Sequence, residues 1–188
     1  MTGTELGAQK GISGATFAIL KDMGWYNVQD RFYDYTNFGY KKGCGFYNNI
    51  CYDTVSLPKY FCNANTMSTI SDCSSSFLGK SVCTNQATLM ADGCSMWAEY
   101  HHCVDPNQGD DGFRQFTLEQ YRTDSFCVTS TLGTSSVSEE SRSRCYPYQC
   151  IYTTGAKAIR FTVGTYTVNC MESEGGTKKT ISALAGYL

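Results

Sequence analysis

Two adjacent histidines, His101 and His102, and eleven cysteines are the residues of this chain whose types could do chemistry. Neighbouring side chains diverge on a helix or a strand. The two imidazoles therefore cannot converge on one ion as the i, i+4 pair of a His-Glu-x-x-His helix does. Serine is plentiful, yet no Gly-x-Ser-x-Gly elbow is present to present a nucleophile. A cysteine nucleophile needs a free, activated thiol. Both histidines read as surface or turn residues, and the chain taken alone is expected to hold no catalytic residue and no metal site.

The cysteines begin at Cys44 and then recur about once every dozen residues. Zinc ribbons and fingers bring two ligands together with short Cys-x2-4-Cys spacings. The tightest gap here is Cys145-Tyr-Pro-Tyr-Gln-Cys150, and no Cys-x-x-Cys occurs. The density reads as disulfides made in an oxidising compartment. An odd count leaves at least one thiol free or paired outside the chain. A bridge closing a loop of about 20 residues contributes roughly 3 kcal/mol in the chain-entropy model, and one of about 55 roughly 4.

The 15 basic and 17 acidic residues give a formal net charge of −2, and no basic run exists to follow a phosphate backbone, so nucleic acid is not an expected partner. Residues Met1 to Lys10 lack the basic and apolar regions of a signal peptide. No stretch reaches the roughly 18 apolar residues of a membrane span. A disulfide protein without a leader is expected to be a piece of a longer chain, or to start before Met1. No Asn-x-Ser/Thr sequon is present.

The elements that position these residues read as follows. Gly11 to Tyr26 predicts a helix buried in a core that the chain does not fully contain, with Ser13 as N-cap, Ile12 and Phe17 as a hydrophobic staple, and Gly24 as the left-handed stop after which Trp25 and Tyr26 pack back. From Asp30 to about Thr129 short polar turns alternate with aromatics and cysteines, which predicts a region held by bridges more than by ladders. Asp105 to Gly112 is an acidic turn. It lacks the calcium-loop glycine and glutamate, since Asp110 and Phe116 hold those places, and it reads as a solvated loop. Ser130 to Arg144 predicts an exposed connector. After it the period becomes two. Cys150 to Thr154, then Ile159, Phe161 and Val163, then Tyr166, Val168 and Cys170 predict antiparallel strands. The fold class is α+β, loop-rich and disulfide-stapled.

Several of these segments carry a resemblance. Ser13-Gly-Ala-Thr-Phe-Ala-Ile-Leu-Lys-Asp-Met-Gly-Trp-Tyr26 resembles the Leu-Glu-Asp-Ser-Gly-Trp-Tyr type helix of the leishmanolysin family of zinc metalloendopeptidases. Gly43-Cys-Gly-Phe-Tyr-Asn-Asn-Ile-Cys51 is similar to that family's Gly-Cys-x-Phe-x4-Cys element, and Cys62, Cys73, Cys83, Cys94, Cys103, Cys127, Cys145 and Cys150 follow its cysteine rhythm. The family is of metzincin type, with a His-Glu-x-x-His helix, a third histidine and a Met-turn. The resemblance implies that Met1 is the Met-turn methionine, a packing residue under the metal. The alternative is an ordinary initiator. Thr2, Gly3 and Thr4 would line the wall of a peptide-binding pocket. The zinc ligands and the general base would lie upstream, so zinc belongs to the parent and not to this chain.

The same resemblance implies the pairs Cys51–Cys94, Cys62–Cys83, Cys73–Cys127 and Cys103–Cys145. It places the partner of Cys44 upstream and those of Cys150 and Cys170 beyond Leu188. Cys150 with Cys170 stays open as an alternative, their strands being read as neighbours. Residues 1–29 would end the catalytic domain, and 30–188 would be an incomplete cysteine-rich domain. The implied function is the C-terminal part of a secreted or cell-surface endopeptidase, membrane-associated in some members and linked to cell adhesion, with the upstream catalytic domain and a protein substrate as partners. The alternative is a non-catalytic extracellular binding or adhesion module.

Overall fold

The computed structural model describes residues 12, 14–29, 39, 41–48, 51, 60–63, 71–84, 94–108, 114–134, 143–153, 155–175, 177–186 and 188. The mixed α+β class holds. Helix α1 spans Gly14–Asp22, α2 is the single turn Gly45–Asn48, and α3 is Arg114–Thr117. Strands Ser71–Cys73 (β1), Gly79–Thr84 (β2) and Met96–His102 (β3) form one antiparallel sheet in the order β1-β2-β3. Strands Ser125–Thr129 (β4), Ser143–Thr153 (β5), Ala156–Val163 (β6) and Tyr166–Met171 (β7) form a second in the order β4-β5-β6-β7.

The second sheet follows its sequence pattern. Phe161 and Val163 of β6 are buried, while Arg160 before them is exposed and Thr162 between them is half-buried. They meet Leu132 and Tyr146 in one core cluster, onto which Leu118, Phe126, Val128, Ile181, Leu184 and Leu188 pack. Each large side chain buried there contributes about 1.5–3 kcal/mol by leaving water. The apolar C-terminal segment is held by paired bonds, Gly133 N–H to Ala185 O at 3.0 Å and Ala185 N–H to Gly133 O at 3.1 Å.

The first sheet supplements the bridges expected between Asp30 and Thr129. Alternation failed to announce it because β2 buries Lys80 and Ser81 as well as Cys83. Two disulfides tie the sheets together, Cys73 of β1 to Cys127 of β4, and Cys103 just past β3 to Cys145 of β5. Cys127 and Cys145 face each other across the β4–β5 ladder, so the two bridges lie side by side. With Tyr121 they make a second buried cluster.

Two readings need correction. Helix α1 ends as expected, with Gly24 at φ +67° accepting the left-handed turn that a side chain resists. Trp25 and Tyr26 do not pack back, however, and among the described residues no core covers the helix. None of its residues is buried, and Trp25 and Tyr26 stand 78% and 58% exposed. An amphipathic stripe names a face but not what covers it. Ser13, its expected cap, lies outside the described residues. The expected exposed connector from Ser130 to Arg144 is also wrong at both ends. Ser130, Leu132, Ser143 and Arg144 are all buried, because the segment enters and leaves the second sheet through its core. Residues 135–142 lie outside the described residues.

Candidate functional site

Strand β3 carries both histidines, and they point to different surroundings. The pairing Ser81↔Glu99, Lys80↔His101 and Gly79↔His102 leaves Tyr100 as an extra residue, a bulge. That one extra residue changes the parity of the strand, so Glu99 and His102 share a face despite a spacing of three. His102 Nδ1 lies 3.1 Å from Glu99 Oε2, and Ser76 Oγ donates to Glu99 Oε1 at 2.7 Å. Ser74 Oγ lies 2.8 Å from Ser76 Oγ. The carboxylate sits between serine and histidine, so the serine proton points to Glu99 and not to an imidazole base. The order is that of a hydrogen-bonded cluster with buried serines and an exposed histidine, and not of an acyl-transfer site.

His101 turns the other way, its ring 4.7 Å from Tyr100 and 6.2 Å from Tyr121 in edge contacts. After β3 the chain folds into the acidic turn. Asp105 Oδ1 accepts Asn107 N–H at 2.9 Å, and this bond holds the exposed carboxyl below its ordinary range. Residues 109–113 of that loop lie outside the described residues.

The thiols outside any disulfide are Cys44 and Cys150, both exposed, and Cys170, half-buried. Burial pushes the Cys170 thiol up. Cys150 and Cys170, expected on neighbouring strands, are separated by β6. Ile159 is the register partner of both. Two strand spacings are about 9.5 Å, beyond the roughly 7 Å that a disulfide spans between α-carbons. Around these thiols Tyr148, Tyr152, Ile159 and Tyr166 leave an exposed apolar face. The bridges that do form are Cys51–Cys94, Cys62–Cys83, Cys73–Cys127 and Cys103–Cys145.

The strongest electrostatic feature was invisible in the sequence. Lys80 Nζ donates to Glu119 Oε1 at 3.2 Å, with both side chains 1% exposed or less. The same oxygen accepts Cys145 N–H at 3.1 Å, and Glu119 Oε2 accepts Thr117 Oγ1 at 2.8 Å. Tyr146 Oη donates to Thr117 O at 2.9 Å, and burial raises that hydroxyl far above its ordinary titration range, which keeps the donor protonated. Charged residues default to the surface in any reading of composition. No spacing motif would have drawn Lys80 and Glu119 inward.

Met1, Thr2, Gly3 and Thr4 lie outside the described residues. Among the described residues no three His, Cys, Asp or Glu side chains are grouped to hold a metal ion.

No curated protein and no solved structure matches the chain. The model of the peptidase M8 family, leishmanolysin, matches residues 1–91, which take in α1 and Cys44 and extend through the strands that carry Cys73 and Cys83. The model covers 91 of the chain's 188 residues, and over that part the chain is similar to the leishmanolysin family.

Proposed function

We propose that the chain is the C-terminal part of a secreted or cell-surface leishmanolysin-like endopeptidase, and that it braces an upstream catalytic domain without contributing a catalytic group. The family match over residues 1–91 carries this reading. Exposed Ile19, Met23, Trp25 and Tyr26 around α1 support it, because so apolar a helix flank is suited to lie against another domain. Exposed Cys44, 20 residues after Gly24 in the chain, is suited to a covalent tie to that domain. Four disulfides fit an oxidising compartment.

Zinc and peptide hydrolysis belong, in this reading, to the parent. Met1 to Thr4 are proposed as the Met-turn and pocket wall there, while Cys150 and Cys170 tie to cysteines outside the chain. The purified chain, incubated with casein and zinc, is expected to give no cleavage, and zinc-dependent turnover overturns the reading. The transcript upstream of the Met1 codon is expected to encode His-Glu-x-x-His. An in-frame stop there would favour the alternative, a binding or adhesion module that has lost the catalytic half.

A further inference from the structure

The segment from Thr117 to Arg122 belongs to neither sheet, yet it grips both halves of one disulfide. Gln120 N–H donates to Cys145 O at 2.9 Å and Arg122 N–H donates to Cys103 O at 3.1 Å. Cys145 N–H returns a bond to Glu119 Oε1 at 3.1 Å. Tyr121 packs in the same buried cluster as Cys103 and Cys145, whose exposure is 0%. The segment is held down at one end by the buried Lys80–Glu119 pair and the Thr117 hydroxyl. Between them Leu118 adopts φ +58°, a left-handed conformation disfavoured for a residue with a side chain. That turn sends Thr117 and Glu119 both inward, where each is buried.

We propose that Thr117–Arg122 is a strap closed over the Cys103–Cys145 disulfide, with Glu119 as its latch, so that strap opening controls reduction of this bridge. A reductant must bring a thiolate to one buried sulfur. With a dithiol, attack breaks the S–S bond and releases the other cysteine as a thiolate. The second thiol of the reagent then resolves the mixed disulfide. The dithiol is oxidised to a cyclic disulfide, and Cys103 and Cys145 take up two electrons and two protons. Sulfurs with no exposed surface meet the reagent only when the strap lifts.

The test uses the full chain with its free thiols first blocked by N-ethylmaleimide. Each bridge is followed during dithiothreitol treatment by differential alkylation and mass mapping. Cys62–Cys83 is the internal control, because its cysteines are also buried, 3% and 5% exposed, but in a separate cluster. Glu119→Gln is expected to speed reduction of Cys103–Cys145 about tenfold relative to Cys62–Cys83, by weakening charge-assisted bonds. Equal acceleration of both bridges means general destabilisation and overturns the proposal, as does an unchanged rate at Cys103–Cys145.

Amide hydrogen exchange of the unmutated chain gives a second reading that does not rely on the variant folding. Gln120 and Arg122 amides are expected to exchange together, through an opening that leaves the β5–β6 amides protected. If they exchange only with those sheet amides, there is no local strap.

Discussion

Replacing Lys80 by Met keeps the length and most of the volume of the side chain and removes its charge. The lost partner is Glu119, whose carboxylate has a side-chain exposure of 0% and sits 3.2 Å from the lysine nitrogen. Thr117 Oγ1 and Cys145 N–H still donate to it, but the charge of the lysine is gone. Breaking one side of a buried pair costs about 3–5 kcal/mol, because the remaining charge keeps its desolvation penalty. For a domain of this size that is about 6–20 °C of melting temperature at roughly 2–4 °C per kcal/mol. Urea unfolding under non-reducing conditions, with free thiols blocked, measures it. The loss is expected to be the same at low and high salt, since the pair is shielded from the ions that screen surface charges. A loss below about 1 kcal/mol is the behaviour of a solvated surface pair and would refute the reasoning. Replacing both partners, as K80M/E119L, is expected to recover most of the loss, because no charge is then left buried.

Three other outcomes are expected. Gly79→Ala places a Cβ 2.6 Å from the His101 backbone oxygen, so β2 and β3 must separate locally, at a cost of about 1–3 kcal/mol in the same urea experiment. Glu174 is held low chiefly by its bond to Lys179 at 2.6 Å and then by the Met171 amide. Its folded value lies below its unfolded one, so the stability it adds is present above the unfolded value and is lost as pH falls through the folded one. Carbon NMR of its carboxyl should show a midpoint below the ordinary value of about 4.3, and Lys179→Ala should raise it. Iodoacetamide at mildly alkaline pH should modify exposed Cys44 and Cys150 before Cys170, whose thiol burial raises, and modification of Cys170 first would contradict that environment.

The sequence and the structure agree where one physical rule dominates. Phe161, Val163 and Val168 alternate with polar residues because one face of their sheet meets a core, and that period is readable without coordinates. Gly24 marks the end of α1 because the turn demands a left-handed residue. What covers that helix was not readable, since the staple of Ile12 and Phe17 says nothing about a covering partner. The first sheet escaped notice because Lys80 and Ser81 interrupt its apolar pattern while being buried by specific partners. Divergence of His101 and His102 followed from adjacency alone. The meeting of Glu99 with His102 needed the bulge at Tyr100, which no local pattern announces. Spacing gave no disulfide pairing at all; any pairing had to come from the resemblance.

The facing positions of Cys127 and Cys145 on β4 and β5 have a consequence for assembly. Both cysteines must leave the same face of the second sheet to reach Cys73 and Cys103 on the first. A slip of β4 against β5 by a single residue would turn one of them to the opposite face and strand its partner. The two native cystines and the native alignment of β4 with β5 therefore require each other, so the bridges lock the register once formed. A molecule that oxidises in the wrong alignment must exchange its disulfides before the strands can settle.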